Sequence, residues 1–287
     1  MATKEEGRDF RRVSMARHAQ EERRNLSFAD RMKSALAPVR EDLIFVASPT
    51  AFALDPAANP HIRPTRLRGV EGAIVLDQVL SAQECRQIIN LTEAMGFAQD
   101  APVSVAGDVR KNLACVWMAD GPTVGDVLFE RCRPYLPKDD GGCAIAGLNS
   151  RFRVYKYSKQ DAFKPHFDGS WPGSSIDDQS QLVYDAFGDR WSRMSLLLYL
   201  NGGDACFQGG ETIFYDSRDR TRITGRVSPA AGSVLCFFHG EHPLSPLHEG
   251  SEVLSGDKYV IRTDVLFLNE ARPSDGTERT EEAKTRT

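Results

Sequence analysis

An α+β domain on a double-stranded β-helix (jelly-roll) core, with supporting N-terminal helices, is the fold class this 287-residue sequence predicts. Three observations predict it. Apolar residues at helical spacing are confined to two stretches in the first half. Short segments rich in β-branched, aromatic or leucine residues fill the second half, and Gly/Asn/Asp clusters separate them. Helices followed by strands read as α+β, and the strand-rich half is long enough for two sheets packed on one another.

Residues 74–76 read as an opening strand. Ser81-x-x-Glu84 follows, a capping box in which each side chain satisfies the other residue's orphan backbone N–H. The helix it opens carries Cys85, Ile88, Ile89 and Met95 and stops at Gly96. A second helix is expected from about Thr123, with Val124, Val127, Leu128 and Cys132 at helical spacing, ending near Pro134. Strands are expected at 152–157, 195–200, 211–215, 233–238 and 258–268, with turns at 201–204 and 208–210. These elements lie within a single domain spanning 69–270. Residues 1–68, charged and rich in Pro and Ala, are expected as a partly disordered arm whose first forty residues form at most a loose helix. Residues 271–287 lack aromatic and branched aliphatic side chains and are expected as a disordered tail. The chain contains no internal repeat and no Gly-rich phosphate loop.

Composition narrows the function. Hydrophobic residues make up 41% and charged residues 26%, as in soluble globular proteins. A net charge of -4 does not suit a nucleic-acid partner. No apolar run reaches the roughly 20 residues that span a bilayer. The N-terminus lacks the apolar core of a secretory signal, and its acidic residues oppose a mitochondrial presequence. The six cysteines are scattered without a C-x-x-C pair, so free thiols in a reducing compartment are expected, and no zinc ribbon. Together these predict a cytoplasmic protein, with the nucleus left open, that contacts neither membrane nor nucleic acid.

The sharpest local feature is His166-Phe167-Asp168. Side chains at i and i+2 of an extended segment point the same way, so imidazole and carboxylate can share one ion. Two histidines and one carboxylate form the facial triad of non-haem Fe(II) oxygen chemistry. His239, His242 and His248 all lie in the next apolar hairpin and could supply the third ligand. His248 stands out because Lys258 follows ten positions later. Alternation puts Lys258 and Arg262 on one strand face, and a cation buried there needs an anionic partner such as a bound dicarboxylate. Either could be the main anchor. Arg153, Tyr155 and Tyr157 share one strand face, and Ser195, Leu197 and Tyr199 share another, which offers hydroxyl donors to a carboxylate.

These residues resemble the prolyl 4-hydroxylase-like branch of the Fe(II)/2-oxoglutarate-dependent dioxygenases. The resemblance runs from about Leu76 to Leu268. It includes Gly147-Leu-Asn-Ser-Arg-Phe-Arg-Val-Tyr-Lys-Tyr157, Phe163-Lys-Pro-His166-Phe-Asp168-Gly-Ser170 and Ser195-Leu-Leu-Leu-Tyr-Leu-Asn201. It continues through Gly209-Gly-Glu-Thr212, Pro229-x-x-Gly232-Ser, His248-Glu-Gly250 and Gly256-Asp-Lys-Tyr259. It implies Fe(II) ligands at His166, Asp168 and His248, and Lys258 pairing with the distal carboxylate of 2-oxoglutarate. Tyr157 would be a cosubstrate-binding tyrosine, with Ser195, Tyr199 and Arg262 on the same pocket. Fe(II), 2-oxoglutarate and O2 are the implied cofactor and cosubstrates, with ascorbate as an accessory reductant. Phe163 stands where collagen-type members usually carry a second tyrosine. The loop before His248 is slightly long.

The implied reaction is hydroxylation of an organic substrate, a protein or peptide side chain in the first reading. Hydroxylation of a small metabolite is the second, and a non-catalytic binding module that keeps the fold is the third. Residues 169–191 are long enough to form a lid. Arg110-Lys-Asn112 is a candidate for substrate contact.

Overall fold

The computed structural model describes residues 9–14, 44–57, 61–99, 110–119, 121–179 and 181–269. The expected loose N-terminal helix falls mostly outside these residues, and the C-terminal tail entirely so.

The described residues are mostly β. The strands before the first helix are β1 (Phe10–Arg12), β2 (Ile44–Ala47), β3 (Arg63–Arg66) and β4 (Ile74–Asp77). Helix α1 (Ala82–Met95) leads to β5 (Arg110–Lys111) and β6 (Leu113–Met118). A π-helical turn, Gly121–Gly125, runs into the short helix α2 (Asp126–Cys132). Then come β7 (Asp139–Asp140), β8 (Cys143–Leu148), β9 (Arg151–Tyr157) and β10 (Ala162–His166). The hairpin β11 (Ser175–Ile176) and β12 (Leu182–Val183) precedes the long β13 (Arg190–Tyr199). Strands β14 (Phe207–Gly209), β15 (Thr212–Tyr215), β16 (Ile223–Val227) and β17 (Val234–Phe238) follow. The last are β18 (Leu247–Gly250), β19 (Val253–Gly256) and β20 (Lys258–Leu268).

The expected order, helices first and strands after, is therefore corrected. Four strands precede α1, and only two α-helices occur among the described residues. The early strands are three or four residues long and partly exposed. The strand expected at 74–76 is present as β4, and β3 pairs with it as its neighbour in sequence; β1 and β2 take ladder partners from distant sequence, so no local period announces them. Strands β1, β2 and β3 lie within the stretch set apart as an arm. In the structure β2 pairs in parallel with β6 and extends the main sheet.

Two sheets form the body. The larger runs β1-β2-β6-β9-β20-β13-β17-β4-β3, and the smaller runs β16-β15-β18-β10-β5. Strand β20 sits at the centre of the large sheet and is buried at every position but its last, as a strand covered on both faces must be. Its outer face joins a core that includes Cys85, Ile88 and Met95 of α1 and Leu128 and Cys132 of α2. The capping box forms as its spacing predicts: Glu84 N–H donates to Ser81 Oγ at 3.1 Å, and Ser81 N–H to Glu84 Oε2 at 2.7 Å. Glu84 also accepts from Arg131 Nη2 at 3.0 Å, which ties α1 to α2. The inner face of the large sheet packs on the small one through Tyr155, Tyr157, Tyr199, Phe214, Phe237 and Val260. That interior is where the site forms. Among the described residues no helix is long and apolar enough to cross a membrane.

Candidate active site

Strand register dictates which side chains meet. Across the large sheet Lys258 stands opposite Tyr157, Val260 opposite Tyr155 and Tyr199, Arg262 opposite Arg153 and Leu197, and Asp264 opposite Ser195. Period-two alternation therefore stacks Lys258, Val260, Arg262 and Asp264 along one inward face. On the facing sheet His166 of β10 pairs with His248 of β18, and Phe214 of β15 pairs with His248 from the other side. A register shift in β10 between Phe163 and His166 adjusts the ladder beside the histidine.

His166, Asp168 and His248 converge, with one donor atom from each lying within 4.8 Å of the others. His166 Nε2 is 3.5 Å from Asp168 Oδ1, and His248 Nε2 is 3.6 Å from Asp168 Oδ2. Adjacent donors about 2.1 Å from an octahedral ion stand about 3 Å apart, so small movements would complete a coordination face. Tautomers are set correctly as well. The Nδ1 atoms of His166 and His248 face the carbonyls of Lys164 at 2.8 Å and Pro246 at 3.1 Å. A proton on each Nδ1 donates to its carbonyl and leaves the Nε2 lone pair for metal. Burial, with His166 beside it, pushes the His248 imidazole down to about 3, so it is neutral at physiological pH. Burial would raise the Asp168 carboxyl, but the Arg262 guanidinium and the two imidazoles outweigh it and hold it well below the usual carboxylate range. The donor set fits Fe(II).

A pocket opens beside this triad, lined by Tyr155, Tyr157, Tyr199, Thr212, Lys258 and Arg262 among others. Lys258 is buried, and among the described residues its ammonium has no carboxylate partner. It donates to the Gly210 carbonyl at 2.7 Å and lies near the Tyr157 and Tyr199 rings, at 5.3 and 5.7 Å. Gly210 has φ of +67°, and a Cβ there would stand 3.1 Å from Lys258 Cδ, so the glycine lets the turn close over the lysine. Burial lowers the Lys258 ammonium to about 8. A dicarboxylate that binds the charged form should keep constant affinity below about pH 8. It should lose up to tenfold per pH unit above that, as binding must then take up a proton. Calorimetric titration with 2-oxoglutarate from pH 7 to 9.5 checks this; a flat profile would contradict it.

Tyr157 and Tyr199 both line the pocket. Tyr199 Oη shares a hydrogen bond with Thr212 Oγ1 at 2.7 Å. Two other expectations are redirected. Ser195 is not among the pocket-lining residues; its Oγ donates to Asp168 Oδ2 at 2.6 Å. Arg262 lines the pocket but is already paired, with Nη1 2.5 Å from Asp168 Oδ1 and Nη2 3.4 Å from Asp264 Oδ1. Alternation put both on the correct face but could not say which layer of it each would reach. His239 and His242, the other candidate ligands, lie away from the triad: His242 meets Asp140, and His239 is buried behind Ser195.

Several residues have site contacts that sequence reasoning did not assign to them. Phe163 stacks on the His166 ring at 3.5 Å between centroids. Arg153 donates to Asp264 at 2.5 Å, both fully buried. Thr212 lay in a quoted motif and Asp264 stands two residues after Arg262 on the last expected strand, and their inward phase was the available signal. The expected lid, residues 169–191, is instead anchored. It contains the β11–β12 hairpin, buries Trp171 and Leu182, and contributes none of the pocket-lining residues. Arg110 does reach the site, with its guanidinium 5.3 Å over the Tyr155 ring and 5.6 Å over the Phe163 ring.

Residues 152–263 match the family model of the 2OG-Fe(II) oxygenase superfamily. The match runs from β9 into β20 and holds the whole triad and Lys258. This segment is thus similar to Fe(II)- and 2-oxoglutarate-dependent oxygenases, which use O2 as the second cosubstrate, and the converging triad within it fits the iron of such enzymes. A comparison with curated protein sequences finds no match. Among solved structures, the chain is similar to a viral collagen prolyl hydroxylase from Paramecium Bursaria Chlorella virus-1. That likeness has 18% identity and a TM-score of 0.44, and covers 69% of this chain and 96% of that one. A Trichoplax adhaerens prolyl hydroxylase in complex with a hypoxia inducible factor peptide fragment has 19% identity and a TM-score of 0.44, covering 69% and 83%. A Pseudomonas putida prolyl-4-hydroxylase has 17% identity and a TM-score of 0.42, covering 70% and 94%. Likenesses at this level carry no argument about substrate.

Proposed function

We propose that the protein hydroxylates a protein or peptide side chain, with Fe(II) held by His166, Asp168 and His248 and 2-oxoglutarate anchored by Lys258. The observation that carries the cosubstrate assignment is the buried Lys258 ammonium, which shares a pocket with the triad and has no carboxylate partner among the described residues. Arg262 is a poorer anchor because Asp168 and Asp264 already engage it. Fe(II) with 2-oxoglutarate and O2, when bound, supplies the oxidising chemistry. The chain's own residues do the rest. Lys258 neutralises the distal carboxylate and fixes the cosubstrate's orientation. Tyr157, Tyr199 and Thr212 bring polar atoms to an otherwise apolar wall, and Tyr155, Leu197 and Val260 keep that wall dry.

The peptide reading is supported beside the pocket. Among the described residues strand β5 is the edge of the small sheet, paired to β10 through Lys111–Ala162 and Arg110–Phe163. An extended chain can add to such an edge, and Arg110 of this strand lies over the rings of Tyr155 and Phe163, which line the pocket. Ascorbate as rescuing reductant and a cytoplasmic setting belong to the same reading; the six unpaired cysteines support the latter. Incubation with peptide libraries and with metabolite extracts under isotope-labelled O2 tests the substrate class. We expect peptides to gain one labelled oxygen. Labelling confined to metabolites would replace this reading with that of a small-molecule hydroxylase.

A further inference from the structure

Behind Asp168 lies a chain of hydrogen bonds that metal ligation and cosubstrate binding leave unused. Ser195 Oγ is 2.6 Å from Asp168 Oδ2 and 2.9 Å from His239 Nδ1. The other imidazole nitrogen, Nε2, is 2.9 Å from Ser192 Oγ, which accepts from the Trp171 backbone N–H at 2.8 Å. Ser192, Ser195 and His239 are each almost wholly buried. Both ends of the chain have fixed polarity. An ionised carboxylate can only accept, and a backbone N–H can only donate. Ser195 must therefore give its proton to Asp168 and receive one from His239 Nδ1. His239 Nε2 is then the acceptor for Ser192. Burial keeps this imidazole neutral, as the single tautomer requires.

We propose that Ser192, His239 and Ser195 form a positioning relay that fixes the carboxylate of Asp168 for metal, and that the relay runs from the backbone of the loop beginning at Gly169. The inference rests on Asp168 being a metal ligand. The register explains why the relay assembles. Ser195 and Phe237 are paired across β13 and β17, so His239, two residues on, points to the same side as Phe237. The turn that carries His239 packs directly on the metal segment: Gly240 N–H donates to the Asp168 carbonyl at 2.8 Å. Gly240 has φ of +65°, the left-handed region that favours glycine, and a Cβ there would fall 1.9 Å from Ser170 Oγ and force that hydroxyl to move. Each carboxylate oxygen has two lone pairs. With Ser195 on Oδ2 and Arg262 on Oδ1, each oxygen keeps one lone pair for an ion while the plane of the group is held from both sides. A serine hydroxyl alone can rotate away; one that must also accept from His239 cannot do so without leaving a buried N–H unpaired.

The test is Co(II) titration of the full-length protein, read as affinity and as the visible d–d spectrum, in Ser195→Ala, Ser192→Ala and the double variant. Ser195→Ala should weaken Co(II) binding about tenfold or more and shift the spectrum; Ser192→Ala should weaken it severalfold. The double variant should bind no more weakly than Ser195→Ala, because the second cut falls on a relay already broken. His239→Leu should match Ser195→Ala, and His239→Asn, which keeps an N–H donor near the Nδ1 position, should recover most of the affinity. If His239→Leu does not melt cooperatively, the serine cycle alone decides. Affinity within about threefold of wild type in Ser195→Ala, or additive losses in the double variant, would overturn the relay. Asp168→Ala is the separate control. Unaltered Co(II) binding there would remove the metal assignment itself, whereas loss there with intact binding in the serine variants would remove the relay alone.

Discussion

Lys258→Ala is expected to raise the 2-oxoglutarate concentration for half-maximal succinate release by at least about thirtyfold. A desolvated charge pair that loses one partner costs roughly 2–5 kcal/mol of binding free energy, which corresponds to such a factor or more. The effect should fall on KM more than on kcat, because Lys258 contacts the pocket wall rather than the triad. The ammonium is buried against the Gly210 carbonyl and the rings of Tyr157 and Tyr199. Arg262→Ala provides the contrast. Its guanidinium touches Asp168 and Asp264, so its loss should act on the metal ligand. If KM for 2-oxoglutarate rises in Arg262→Ala and not in Lys258→Ala, the anchor is Arg262.

Arg153→Met should be among the most destabilising single substitutions in the inner face. Arg153 and Asp264 pair at 2.5 Å with almost no solvent contact. Removing one member of such a pair leaves a buried charge and costs about 3–5 kcal/mol, or roughly 10 °C in Tm for a domain of this size. Asp264 would still meet Arg262, only at 3.4 Å, which softens the loss without abolishing it. Thermal unfolding monitored by circular dichroism checks the figure. A Tm within about 2 °C of wild type would show that the pair contributes little beyond its desolvation cost.

Much of this site was legible in the sequence because its logic is local. His166 and Asp168 are two apart on an extended segment, and Lys258 and Arg262 share the phase of one strand, so alternation alone put them on common faces. Ser81-x-x-Glu84 announced α1 for the same reason: capping is decided within four residues. What stayed hidden depends on register between distant strands. Ser195 has the right phase, but only its pairing opposite Asp264 puts it behind the metal ligand instead of beside the cosubstrate. His239 looked like a rival ligand until the β13–β17 register turned it toward Ser195. Strands β1 to β3 were illegible because three or four mixed residues carry no period, whereas the apolar run at 74–76 announced β4. The length of 169–191 suggested a lid, but length says nothing about the hydrogen bonds from Asn149 to the Pro172 carbonyl and from Ser174 to the Tyr184 carbonyl that pin this segment down.

The central claim is that Asp168, with His166 and His248, holds the iron at which 2-oxoglutarate is consumed. Succinate release from 2-oxoglutarate by the Fe(II)-supplemented full-length protein, without added substrate, tests it directly when wild type is compared with Asp168→Ala. The geometry predicts measurable release by wild type and a fall of at least about a hundredfold in the variant, because loss of a ligand itself should cost no less than the upper end of what loss of a ligand's hydrogen-bond partner costs. Equal release by both proteins would contradict the assignment.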